Sequence, residues 1–250
     1  MEPRSLTANR SLDGPVAVIG AMPEEIATLG TQLQHRRTVR RGPFELESGV
    51  LDGRPVVLAV CGVGKVNAAA LTQQVLAEGA TRLLFTGVAG ALDPALRVGD
   101  VIVSRDAVQY DVDVRPLGYE LGRVPGEPLF WEADPILRQA ALEAARAVVP
   151  GAQVRLGRIA SGDRFVGDAA VGRDIFASFG ADCAEMEGAA VAQVCARWGV
   201  PWTIVRSISD SADHDASVDF RAFTKTSAAR AQAVVRGVLA RLEPTEPTVR

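Results

Sequence analysis

The chain has 250 residues, 48% of them hydrophobic and 23% charged, an ordinary balance for a globular protein and enough for one large core. A net charge of −3, with both signs interspersed, argues against a nucleic-acid or membrane surface and points to small-molecule partners. Cys61, Cys183 and Cys195 form no CxxC or Cys/His cluster, so neither a disulfide framework nor a metal site is expected and a reducing cytoplasm fits.

The first 14 residues lack the apolar run of a signal peptide, and no stretch approaches the ~20 apolar residues needed to cross a bilayer. The expected organisation is a flexible extension over 1–14, one domain over 15–243 and a frayed tail over 244–250. Residues 16–19 read as a short strand, followed by Gly20-Ala21-Met22-Pro23-Glu24-Glu25 and a helical pattern through Leu29. Pro23 suits a first helical turn, and acids there either complement the helix dipole or face a site at the strand's end. Residues 44–51 and 55–60 read as hairpin arms around Asp52-Gly53. The run CGVGKVNAAALTQQVLAEGA enters a helix from a glycine-rich turn, but GVGK lacks the spacing of a phosphate loop and is a weak signal for one.

A strand is expected at 82–85, then a small-residue loop Thr86-Gly87-Val88-Ala89-Gly90 that lets a flat ligand approach the backbone. A further strand is expected at 98–104. Residues 106–131 read as irregular, of the kind that serves binding or subunit contact. A helix over 134–149, capped by Asp134 with Pro135 first, a strand over 154–159 and a short helix near 168–179 follow. The stretch 180–213 reads as a loop carrying Glu185, Met186 and Glu187, a helix over 188–198 ended by Gly199 and Pro201, and a buried strand over 203–208 that stops at Ser209-Asp210. Ligands of open α/β sheets bind at the carboxyl ends of strands, so Glu187, Asp210 and Arg206 are expected to meet there. His214 falls in a loop over 211–219 and is read as solvated, and a last helix is expected over 220–242. Strands alternating with helices, with one hairpin, imply an α/β sandwich around a mixed sheet.

Three segments together, VIGAMPEEIATL, TGVAGALDPALRVGDVIVS and ASGDRFV…AEMEGAAVAQVCARWGVPWTIVRSISDSAD, resemble the purine nucleoside phosphorylase/hydrolase superfamily and, within it, the 5′-methylthioadenosine/S-adenosylhomocysteine nucleosidases. The resemblance implies a single-domain three-layer α/β/α sandwich around a twisted mixed β-sheet, pairing into homodimers. It also implies hydrolysis of the N-glycosidic bond of 5′-thio-substituted adenine nucleosides, with no cofactor. By resemblance, Asp210 is the acid that protonates adenine at N7, and Glu25 activates the water. Glu187 accepts from the ribose hydroxyls, Met186 packs beneath the sugar, and Arg206 and Ser209 flank the acid within the substrate-binding set, where Arg206 can reach a carboxylate or a hydroxyl. Phe165 stacks on adenine, Val166 binds the base edge through its backbone, and Phe220 closes over the 5′ substituent; Met22 also joins the substrate-binding set.

Three positions depart from the pattern. Pro23 replaces an acid, Val88 stands where the family commonly has Ser or Thr, and Leu117 stands where the partner subunit commonly contributes an aromatic. The last two make the site more apolar, implying altered affinity or a shifted 5′ preference. The rival functions are a nucleoside phosphorylase, a 6-amino-6-deoxyfutalosine hydrolase and a non-catalytic nucleoside-binding protein. A carboxylate where phosphate would attack repels phosphate and suits water, which favours hydrolysis.

Overall fold

The computed structural model describes residues 14–212 and 216–242. Among these residues ten strands form one mixed sheet in the order β10-β6-β8-β9-β5-β1-β4-β3-β2, with β7 on the side of β6. They are β1 Val16–Gly20, β2 Gln34–Arg41, β3 Phe44–Leu51, β4 Arg54–Val60, β5 Arg82–Ala91, β6 Val101–Gln109, β7 Trp131–Glu132, β8 Val154–Ser161, β9 Cys183–Glu185 and β10 Trp202–Asp210. Because β10 pairs with β5 as well as β6, five strands close into a ring. β1, β4, β5 and β10 run one way, while β6, β8 and β9 run the other. The short β9 meets β5 antiparallel, Gly90 opposite Ala184, so carboxyl ends converge from both directions on one place.

Among the described residues six α-helices cover the sheet: α1 Ala27–Gln32, α2 Lys65–Ala77, α3 Pro135–Val148, α4 Ala169–Phe179, α5 Gly188–Trp198 and α6 Ala216–Arg241. α2 and α5 bury Leu71, Val75, Val191 and Cys195 against one face. α1, α3 and α6 bury Leu29, Leu137, Val234 and Val238 against the other, which gives the three layers. Parallel strands covered on both faces read as continuous apolar runs, and β1, VAVIG, is buried throughout. α3 starts as its sequence demands: Asp134 accepts from the amides of Ile136 at 3.0 Å and Leu137 at 2.9 Å.

Three expectations need correction, and one strand was unforeseen. Residues 86–90 are not a loop; they continue β5, their small side chains allowing β10 to lie beside them. Residues 106–131 are less irregular than their composition implies, since β6 runs to Gln109 and β7 begins at Trp131. Glu185 lies on a strand, β9, rather than in a loop. The unforeseen strand is β2, QHRRTVRR, exposed along its whole length. It carries no apolar alternation because both its faces are exposed; backbone pairing with β3 makes it a strand, and its charges blunt an open edge. His214 and the two chain ends lie outside the described residues.

Candidate active site

β1 ends at Gly20, and the chain turns through a single 3₁₀ turn, Pro23–Glu25. Glu24 points to solvent, while Glu25 is buried and its carboxylate folds back on its own turn. One oxygen accepts from the amides of Ala21 at 2.6 Å and Met22 at 2.9 Å; the other accepts from Val88 of β5 at 3.0 Å. Burial raises the Glu25 pKa, opposed by Arg206 and by these three amides.

A second acidic group forms where β9 runs into α5. Glu185 accepts from the Gly188 amide at 2.8 and 2.9 Å, filling the place of a capping acid at the start of α5. The Ser161 hydroxyl donates to Glu185 and accepts from the Ala189 amide at 2.7 Å, locking β8 to the same helix end. Glu187 turns the other way, accepting from the Gly64 amide at 2.9 Å. Burial, then the neighbouring Glu185 charge, pushes the Glu187 pKa up to about 8, against the pull of Arg206 and the Gly64 amide.

The cation among these acids is Arg206 of β10, wholly buried over the Phe85 ring at 4.3 Å. It pairs with Glu185 and lies 3.7 Å from Glu187. Burial alone would lower its pKa, but the charges of Glu185, Glu25 and Glu187 outweigh burial and raise it. β5 passes between Arg206 and Glu25 at Gly87, where an added Cβ would lie 2.8 Å from Cδ of Glu25 and closer still to Oε1 of Glu25 and Nη1 of Arg206. Only glycine leaves that room.

At the end of β10, Asp210 is buried and oriented by the Ser209 hydroxyl at 2.8 Å and the Ala212 amide at 3.0 Å. Glu25, Glu187 and Asp210 line one cavity of about 250 Å³, of a size for a small molecule. At its mouth the Phe165 and Phe220 rings meet edge to face, centroids 5.7 Å apart. Among the described residues no group of three or more metal-ligating side chains occurs.

A family model for the phosphorylase superfamily matches residues 15–240. The chain belongs to the phosphorylase superfamily. Within this superfamily it groups with the 5′-methylthioadenosine/S-adenosylhomocysteine nucleosidases. That of Geobacillus thermodenitrificans is 41% identical over 89% of this chain and 95% of its own. The solved nucleosidase from Neisseria meningitidis, in complex with methylthio-immucillin-A, superposes with a TM-score of 0.89 at 41% identity, covering 91% of this chain and 99% of that one. The aminodeoxyfutalosine nucleosidase of Campylobacter jejuni is 40% identical over 85% of this chain and 93% of its own.

On this superfamily fold, the cavity is lined by Met22, Glu25, Val88, Phe165, Val166, Met186, Glu187, Ser209, Asp210 and Phe220, all named from the sequence. Two named residues do not line it. Arg206 stands behind the acids, reaching carboxylates and no cavity surface, because β10 is covered on both faces there. Leu117 is 74% exposed on a 3₁₀ turn, Arg115–Leu117, outside the cavity of this single chain. The glycine-rich turn does not cradle phosphate: its Gly64 and Lys65 amides are taken by Glu187 and Asp163, and the Lys65 ammonium pairs with Asp111 at 2.6 Å. Sequence reasoning left Glu185, Ser161 and Gly64 without roles and gave Gly87 only a place in a small-residue loop. The signal for Glu185 was an acid three residues before a helical glycine, a place where a carboxylate can take free helix amides.

Proposed function

We propose that this protein hydrolyses the N-glycosidic bond of 5′-methylthioadenosine and S-adenosylhomocysteine, releasing adenine and a 5-thioribose. The observation that carries the reading is the convergence of Asp210, Glu187 and the buried Glu25 on one small cavity. The bond breaks toward an oxocarbenium-like ribose, which needs a proton on the departing base, a water activated on the opposite face and a hold on the sugar. Asp210 supplies the proton at N7 and Glu25 activates the water. Glu187 accepts from the ribose hydroxyls. Phe165 stacks on adenine while Phe220 covers the 5′ substituent. A raised Glu25 pKa makes its carboxylate a stronger base, while three backbone amides and Arg206 favour its charged form against burial.

Phosphorolysis is disfavoured by charge. An entering phosphate would face the Glu25 carboxylate and find no cation in the Glu187 carboxyl beside it; Arg206 is buried behind them, Lys65 is engaged by Asp111, and Arg164, the cation of the cavity lining, lies beside Phe165. The Campylobacter relative favours an aminodeoxyfutalosine as an additional substrate. We also infer a cytoplasmic homodimer. Val66 and Leu117, 79% and 74% exposed, flank the α2 entrance and the 110–130 loop that the Lys65–Asp111 pair ties together, a surface suited to a second copy.

Adenine release from methylthioadenosine, in phosphate-free buffer and then with phosphate added, tests the reading. Release without phosphate, yielding free methylthioribose, is expected. Release only with phosphate would make the protein a phosphorylase, and release in neither buffer would make it a binding protein.

A further inference from the structure

α1 is a six-residue helix that begins without a cap of its own. Its first flanking residue is Ile26, which offers no side-chain acceptor, so the amides of the first turn have no local partner. Gln232, 204 residues away on α6, supplies one: its carboxamide oxygen accepts from Thr28 at 2.7 Å and Leu29 at 3.3 Å. These are the second and third helical amides, the two that a capping side chain takes. Its nitrogen donates at 2.8 Å to the carbonyl of Glu24, the peptide that leads directly into Glu25. Gln232 is 2% exposed. Only a carboxamide can accept two amides and donate to a carbonyl from the same place; a carboxylate loses the donor and a hydrocarbon loses both.

The same helix is fastened to the strand that ends in Asp210, because the Ser227 hydroxyl donates to the Ile208 carbonyl at 3.0 Å. α6 is therefore a common reference for the turn that carries Glu25 and the strand that carries Asp210. The Glu25 turn is three residues long, and among the described residues it has no other side-chain hydrogen bond from a helix. Displacing it would pull the carboxylate from the Val88 amide and from the gap beside Gly87, where there is no slack.

We propose that Gln232 is a positioning residue for Glu25, acting as a long-range cap that fixes the 3₁₀ turn against α6. The inference rests on the reading of Glu25 as the water-activating base. Methylthioadenosine kinetics and thermal melts of Gln232→Met, Gln232→Glu and Glu25→Gln test it. Met keeps the length without donor or acceptor, and its kcat is expected to fall about tenfold or more with KM within about threefold, since small misplacements of a catalytic group cost rate more than binding. Glu keeps the acceptor but loses the donor, and with it the bonds to the carbonyls of Glu24 and Ala228, so kcat is again expected to fall with KM little changed; it also decides the matter if the Met variant does not fold. A kcat within about twofold of wild type in a folded variant, or a KM that rises as much as kcat falls, would overturn the role and leave Gln232 a simple brace. The control separates the two readings: an active Glu25→Gln refutes the base itself, whereas an inactive Glu25→Gln beside a normal Gln232→Met refutes only the positioning.

Discussion

Gly87→Ala puts one methyl group into the narrowest part of the site. Its backbone φ lies outside the left-handed range, so alanine is allowed by the main chain and the effect is confined to the side chain. The new carbon would lie 2.8 Å from Cδ of Glu25, about 0.6 Å inside the 3.4 Å at which ordinary contact begins, and nearer still to Oε1 and to Nη1 of Arg206. Neither neighbour can withdraw: Arg206 is wholly buried on Phe85 and paired with Glu185, and three amides hold Glu25. Overpacking of this kind costs about 1–3 kcal/mol, a fall in Tm of roughly 2–12 °C for a chain of this size. A base displaced by about 1 Å loses on the order of 100-fold in rate, so kcat is expected to fall much further than stability. Gly30→Ala is the control, since its Cβ would meet only Glu47 at 3.5 Å and alanine favours a helix by about 0.5–1 kcal/mol. Melts and steady-state adenine release on both variants give the answer. A Gly87→Ala protein with wild-type kcat would refute the claim that Glu25 and Arg206 are held without slack.

Asp210→Asn keeps the shape of the side chain and removes the transferable proton, so turnover should drop by about 10²–10⁴ while calorimetry still detects nucleoside binding. Burial holds the Glu187 pKa at about 8 against an ordinary 4.5, so the empty folded protein binds a proton there that the unfolded chain has already released. That contribution is full below pH 4.5 and drains away as pH rises to about 8; Glu187→Gln should flatten this part of the Tm-against-pH curve, leaving the share due to Glu25. Light scattering should find a dimer, and Leu117→Asp, placing charge at an exposed apolar position, should raise the proportion of monomer and lower activity with it.

The apolar strands and capped helices were legible because their residues answer to local rules. VAVIG is apolar on both faces because it is covered on both, and Asp134-Pro135 is a helix start wherever it occurs. Glu25 could be separated from Glu24 only through resemblance, since adjacent acids look alike until the turn buries one and exposes the other. The strand continuing through residues 86–90 was hidden because small residues also make good loops, and only the neighbouring β10 turns that run into sheet. Arg206 was read as a ligand contact because sequence cannot tell an arginine facing a cavity from one placed behind its acids. Glu185 and Gln232 were invisible for a related reason: their partners lie on other elements, and no local spacing encodes them.

Several of the contacts that shape this cavity span long reaches of chain. Glu25 meets the amide of Val88 across 63 positions, Gly64 meets Glu187 across 123, and Thr28 meets Gln232 across 204. No contiguous fragment contains the finished arrangement, and its last fastening comes from the C-terminal helix. Non-local closure of this sort is slow, because loop entropy is lost before the contacts repay it. On refolding from denaturant, helical signal should therefore return well before catalysis, and adenine release should report the final docking of α6 on an otherwise assembled ring of strands. A chain released before that helix is made would carry Glu25, Glu187 and Asp210 and still be inert.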